Sequence, residues 1–159
     1  MDSSRPRVVT RSWPVTVVYE LRRVRTYYWG AIYALDSWED DFDAASISDA
    51  GPVWAKPRWI TINVLNSRSV DSDAAAVEMI LRVQDEPAAA SDHEEIIDLP
   101  SGVLTIGDAG DNDNIELHPG RWRMQITLNP PGNATMVQIL LSPFSLAGRW
   151  TTWMPEERL

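Results

Sequence analysis

The chain has 159 residues, 44% of them hydrophobic, with eight tryptophans, no cysteine and a formal net charge of −9. This composition indicates one globular domain with a packed core, and it excludes a disulfide framework and a thiolate metal site. An acidic body repels nucleic acids and membrane surfaces, so we expect neither as a partner, and it favours association with basic proteins.

The N-terminal segment differs in charge from the rest of the chain. Residues 1–25 hold six arginines against two acids, a net charge of +4, which leaves −13 for the remainder by difference from −9. This segment contains no apolar run of signal-peptide length, so we expect a cytoplasmic protein. A first strand is predicted here from the alternation of its apolar set, which is Val15, Val17, Tyr19 and Leu21.

Residues 36–43 form the densest acidic cluster, in which five carboxylates surround Trp38 and Phe42. Ser37 is a suitable N-cap, and acids suit the positive end of a helix, so a short helix is predicted over Trp38–Ala45. The alternative is a docking patch, in which the carboxylates attract a basic partner and the aromatics anchor it. The predicted partner-binding residues are Asp36, Trp38, Glu39, Asp40, Asp41 and Asp43.

Three later segments alternate clearly between apolar and polar residues, which is typical of strands with one wet face. Their inward sets are Ile60, Ile62 and Val64; Val77, Met79, Leu81 and Val83; and Trp122, Met124, Ile126 and Leu128. Shorter strands are predicted at residues 103–106, 114–117 and 136–141. The pattern therefore predicts a mainly β fold, an antiparallel β-sandwich of about seven or eight strands with one short helix.

We expect a single domain over residues 1–159, with a sandwich core at 12–144 and a C-terminal tail at 145–159. The tail contains Trp150 and Trp153, through which it would dock onto the core.

Residues with catalytic or metal-binding potential are sparse. The two histidines, His93 and His118, lack a metal-ligand spacing, and no GxSxG elbow is present, so we expect neither an enzyme nor a cofactor. The segment Asp108–Glu116 is rich in oxygen ligands but fails the EF-hand register, because Gly110 and Pro119 fall where acids belong. A loose calcium loop and a polar hairpin both remain open for it.

The tryptophans suggest a further alternative. Trp54 and Trp59 flank Lys56, and aromatic faces presented together on a loop would stack on sugar rings. The competing interpretation places most tryptophans in the core. Several indoles lying coplanar on one exposed face would favour the sugar-binding interpretation. The alternative to an inhibitor is a ligand-binding β-sandwich for carbohydrate or calcium, or a structural one, without catalysis.

The turn at residues 115–124 carries a family resemblance. Leu117 and Trp122 enter and leave a corner formed by Pro119 and Gly120, and this arrangement resembles the corresponding turn of the competence protein J family. The preceding strands and the tryptophan-acid segment follow in the same order as in that family, over about residues 13–128. The loop at 86–115 and the segment after Phe144 are longer than the family pattern.

The resemblance implies an intracellular protein that binds and neutralises a partner such as a nuclease. The net charge independently favours a basic protein partner. A site that binds nucleic acid is itself basic, so an acidic domain complements it. No inhibitory residue is carried over from the family beyond the segment around Trp38.

Overall fold

A computed structural model describes residues 17–39, 51–68, 75–108 and 110–144. Within these ranges the chain forms strands and no helix, and no helix long and apolar enough to cross a membrane occurs there. The ten strands are Val17–Arg25 (β1), Ala31–Asp36 (β2), Val53–Lys56 (β3), Trp59–Asn63 (β4), Val77–Gln84 (β5), His93–Leu99 (β6), Val103–Gly107 (β7), Asn112–Glu116 (β8), Gly120–Asn129 (β9) and Met136–Pro143 (β10).

The strands form two five-stranded sheets. One has the order β1-β5-β10-β9-β6, and the other has the order β3-β4-β2-β7-β8. All of the neighbouring pairs are antiparallel except β5 and β10, which pair in parallel. The predicted mainly β fold is confirmed, whereas the first sheet is mixed rather than antiparallel.

One hydrophobic core lies between the two sheets. The inward sets predicted for residues 60–64, 77–83 and 122–128 are all buried in it, together with apolar residues of β2, β7 and β10. Because successive side chains of a strand point to opposite faces, the same alternation leaves polar residues such as Gln138 and Arg82 on the outer face. Burial of this shared apolar surface holds the sheets together.

The predicted count of seven or eight strands is too low, and two of the strands that the sequence patterns missed are β2 and β6. β2 is buried on both faces from Ala31 to Ala34, so its sequence shows no alternation to detect. β6 is an edge strand rich in acids, and its composition is atypical of strands.

The first strand departs from its predicted pattern. The pairing of β1 with β5 shifts between Val17 and Tyr19, which is the signature of a β-bulge. Tyr19 follows the bulge and stays in phase with Leu21, yet it is 42% exposed although it was predicted to face the core, while Leu21 is buried as predicted.

Some predictions fall outside the described residues. Of the helix predicted over Trp38–Ala45, only the first two residues are described, and Trp38 belongs to a turn. The rest of that segment lies outside the described residues. The start of the first strand at Val15 and the tail at 145–159 also lie outside them, so the domain boundaries stay a prediction.

Candidate functional site

The described part of the predicted acidic site is a tight turn that follows β2. The Glu39 amide donates to the Asp36 carbonyl oxygen at 2.8 Å, and the Ser37 amide donates to the Val103 carbonyl oxygen at 3.0 Å. The turn is thus fixed both within itself and to β7. It presents Trp38 to solvent, where that side chain is 69% exposed.

Asp36 is the internal support of this turn. Its side chain is fully buried, and one carboxylate oxygen accepts hydrogen bonds from the Ser101 amide at 3.0 Å and the Ser101 hydroxyl at 2.6 Å. The other oxygen accepts from the Trp38 amide at 3.0 Å. Hydrogen bonds to a charged acceptor are stronger than neutral ones, so Asp36 fixes the backbone that carries Trp38.

The predicted site residues therefore have different positions. Trp38 is exposed, Glu39 is half-exposed, and Asp36 is buried with its carboxylate engaged inside the chain. We accordingly assign Asp36 a positioning role and leave it out of the exposed surface. Asp40, Asp41 and Asp43 lie outside the described residues, and their contribution to partner binding stays a prediction.

A second acidic feature was missed by the sequence reasoning. No lysine or arginine occurs between Arg82 and Arg121, whereas ten aspartates and glutamates do. That charge imbalance is the sequence signal by which this second acidic feature could have been predicted. Six of these acids, including Asp85, lie on β6 or the loop before it. We call the other five the acidic edge: Glu86, Asp92, Glu94, Glu95 and Asp98.

The acidic edge ends beside the Trp38 turn. β6 leads directly into the turn containing Ser101, whose side chain binds Asp36. The Asp98 amide also donates to the Pro57 carbonyl oxygen at 2.6 Å, which ties this end of β6 to the β3–β4 turn. The fold thus brings the Trp38 turn and the Asp98 end of the acidic edge, 60 residues apart in sequence, to the same end of the molecule, whereas Glu86 and Asp92 precede the start of β6.

Most of the acidic edge carries uncompensated charge. Glu94 forms an ion pair with Arg123 across to β9. The Asp92 carboxylate accepts a hydrogen bond from the Leu128 amide at 3.0 Å. Among the described residues, no ion pair involves Glu86, Glu95 or Asp98. Carboxylates without an ion-pair partner produce a negative potential that attracts cationic partners.

The tryptophans flanking Lys56 do not form a flat binding platform. The Trp54 and Trp59 rings meet edge to face, at 84° and 5.6 Å between centroids, and Trp59 is fully buried. The Lys56 ammonium lies 5.4 Å from the centroid of the Trp54 ring and 5.7 Å from that of Trp59. These contacts are those of packed side chains, and they give no support to stacking of a sugar on this pair.

The oxygen-rich segment at 108–116 forms the β7–β8 hairpin. Asp113 accepts from Arg23 at 3.0 Å and from Arg25 at 3.1 Å, so its carboxylate joins the β8 edge of one sheet to the β1 edge of the other. The Arg25 guanidinium also pairs with Asp111 at 3.3 Å. No group of three or more potential metal ligands occurs among the residues that the structure describes.

Two tyrosines near this hairpin have perturbed ionisation. Burial raises the pKa of Tyr27, and the Arg25 guanidinium acts in the opposite direction. Burial also raises the pKa of Tyr33, with a smaller contribution from the Asp108 carboxylate. Both side chains are therefore held in their neutral form, which does not suit a proton-abstracting role.

Comparison with known proteins bears on the fold. No family model and no curated protein matches the chain. Among solved structures, it is similar to ComJ of Bacillus subtilis, an inhibitor of the DNA-degrading activity of NucA, with a TM-score of 0.52 at 8% identity over 83% of this chain and all of that one. The product of crocagin biosynthetic gene J matches with a TM-score of 0.48 at 14% identity, over 84% of this chain and all of that one.

At such low identity the likeness to ComJ establishes a shared fold and not a shared family. The similarity spans the whole ComJ chain, so all of the ComJ fold is represented here.

Proposed function

We propose that this protein is a cytoplasmic inhibitor that binds a basic protein partner, such as a nuclease, through Trp38 and the negatively charged surface next to it. The single observation that carries the proposal is the exposed Trp38 indole, held on a turn pinned by a buried carboxylate and located at the end of the acidic edge.

This combination suits a protein interface for two reasons. Tryptophan is among the residues that contribute most binding energy when a partner covers them, and a fixed backbone lowers the entropy lost on binding. Exposed ion pairs alone contribute little, but a one-sided charge accelerates association with a partner of opposite charge. The exposed Trp38 side chain would contribute most of the affinity, and the carboxylates would increase the association rate and favour basic partners.

The fold likeness supports a nuclease as the partner. ComJ inhibits a DNA-degrading activity, and an active site that grips DNA must be basic to neutralise phosphates. A domain of net charge −9 whose acidic edge ends beside Trp38 complements such a site. Glu39, the acidic edge and the predicted Asp40, Asp41 and Asp43 would then lie where the nuclease otherwise meets phosphate groups.

The test begins by capturing partners from the source cell on immobilised protein, followed by identification and purification of the captured protein. The affinity of the captured partner for wild type, Trp38→Ala and Trp29→Ala is then measured, together with the partner's cleavage of DNA in the presence of each variant. Trp29 is a matched control, because it is also an exposed tryptophan but lies at the other end of β2. We expect Trp38→Ala to weaken binding by about tenfold or more, as loss of a hot-spot residue does.

The charge component is tested in the same assay. The variant with Asp40, Asp41 and Asp43 all changed to Asn should slow association and flatten the dependence of affinity on salt. Binding that is insensitive to salt, or equal losses from Trp38→Ala and Trp29→Ala, would contradict the proposal. So would a captured partner whose activity is unchanged by saturating protein.

A further inference from the structure

A second exposed aromatic cluster lies at the opposite end of the molecule. Tyr28 is 54% exposed and Trp29 is 57% exposed, and both belong to the turn between β1 and β2. β2 runs from this turn to the turn that carries Trp38, so the two exposed tryptophans are at opposite ends of one strand. The proposed function does not use this end.

The turn that carries the cluster is rigid. The Tyr27 carbonyl oxygen accepts from the Gly30 amide at 2.9 Å and from the Ser67 amide at 3.1 Å, and Tyr27 itself is fully buried. Gly30 has a φ of +70°, and a Cβ there would lie 2.9 Å from the Asn66 Cβ. The backbone of the β1–β2 turn is thus fixed against residues 64–67.

Arg68 completes the cluster. The Tyr28 and Trp29 rings meet at 89° with centroids 5.0 Å apart, and the Arg68 guanidinium lies 5.5 Å from the first centroid and 4.9 Å from the second. A guanidinium that rests on aromatic rings keeps N–H donors at its edge for a further partner. No carboxylate among the described residues forms an ion pair with it.

We propose that Tyr28, Trp29 and Arg68 form a docking surface for a segment of a partner protein in which a carboxylate stands next to an aromatic or aliphatic side chain. The carboxylate would accept hydrogen bonds from the edge of Arg68, while the apolar side chain would cover the exposed indole of Trp29. Charge complementarity selects this occupant, because Arg68 offers a cation that two rings already orient and that no carboxylate of the described residues pairs with.

The residue types support an interface rather than a coincidence of surface side chains. Tryptophan, tyrosine and arginine are the three residues most enriched at interface hot spots. Here they are adjacent, exposed and pre-organised, so little conformational freedom remains to be lost on binding. The surface would select an acidic segment, whereas the Trp38 end would select a basic one.

The test uses a fluorescein-labelled hexapeptide of alternating glutamate and phenylalanine, with a glutamine-phenylalanine hexapeptide as the neutral control. Binding is followed by fluorescence anisotropy for wild type, Arg68→Gln, Arg68→Lys, Trp29→Ala and Trp38→Ala. We expect saturable binding of the acidic peptide only, weakened about tenfold by Arg68→Gln and by Trp29→Ala and unchanged by Trp38→Ala. The affinity of Arg68→Lys for the acidic peptide should lie between the affinities of wild type and Arg68→Gln, because lysine keeps the charge but not the planar guanidinium.

Failure of the acidic peptide to bind, equal binding of the neutral peptide, or an effect of Trp38→Ala as large as that of Trp29→Ala would overturn the proposal. Circular dichroism of each variant separates loss of binding from loss of fold. Sedimentation velocity across protein concentrations tests a second copy of this chain as the occupant. Self-association that Arg68→Gln abolishes would overturn the assignment to a separate partner.

Discussion

Removing the Asp36 carboxylate should destabilise the protein although it lies at the end of a strand, next to a solvent-facing turn. The substitution Asp36→Ala takes away the acceptor for the Trp38 amide and for the amide and hydroxyl of Ser101. The hydroxyl retains an alternative, because it also lies 3.2 Å from the Val103 carbonyl oxygen. Two backbone amides are therefore left without their acceptor.

The expected loss follows from those two amides. Leaving a buried donor unsatisfied costs about 1–3 kcal/mol, and water can reach a turn at the surface, so the lower half of that range applies to each. Asp36→Ala should thus lower the free energy of unfolding by about 2–4 kcal/mol, a substantial part of the roughly 5–15 kcal/mol of a typical domain. Asp36→Asn keeps one acceptor oxygen and should cost about half as much.

Equilibrium unfolding in urea, followed by far-UV circular dichroism, measures this loss, provided that the dependence on urea concentration is unchanged. Glu39→Ala is the matched control, because among the described residues its carboxylate takes part in no hydrogen bond or ion pair; its effect should stay within about 0.5 kcal/mol. If Asp36→Ala changed stability no more than Glu39→Ala does, Asp36 would not be the support of the Trp38 turn.

Three further outcomes are expected. Arg25→Ala should lower the free energy of unfolding by about 1–2 kcal/mol, and a double-mutant cycle with Asp113→Asn should show coupling, since their partly buried ion pair joins the two sheets. Gly30→Ala should cost about 1–3 kcal/mol in urea unfolding, because its φ of +70° strains any residue with a Cβ. Burial raises the pKa values of Tyr27 and Tyr33 in the folded state, so absorbance at 295 nm should show both side chains ionising above pH 10, at a higher pH than free tyrosine. Their contribution to stability is complete below pH 10 and is lost as the pH rises through the folded-state pKa.

The fold could be predicted from sequence where one face of a strand is buried and the other is wet. β5 and β9 meet that condition, and their apolar sets, from Val77 to Val83 and from Trp122 to Leu128, lie in the core as predicted. β2 could not be found in this way, because its outer face is also covered at Ala31 and Tyr33 and alternation disappears. The parallel pairing of β5 with β10 depends on contacts distant in sequence, for which local periodicity carries no information.

The sequence indicated one segment of the candidate site, and the role of that segment in partner binding stays a prediction. The acids and aromatics at 36–43 indicate the segment that contains the exposed Trp38, but composition does not distinguish a buried carboxylate from an exposed one. The structure separates them, because the alternation of β2 directs Asp36 to the inner side of its sheet, where Ser101 meets it. Ser101 is 65 positions away in sequence, and no local pattern could indicate that partnership.

The two exposed tryptophans make the proposals separable in a single set of variants. β2 alone, with six residues, spans about 17 Å at roughly 3.3 Å per residue, so Trp29 and Trp38 are farther apart than the distance over which side chains normally couple. The free-energy effects of Trp29→Ala and Trp38→Ala on any one partner should therefore add. A partner that responds to both, and to Arg68→Gln as well, would have to extend along the full length of β2. A partner that responds to Trp38→Ala alone would leave the Tyr28, Trp29 and Arg68 surface free for a second protein at the same time.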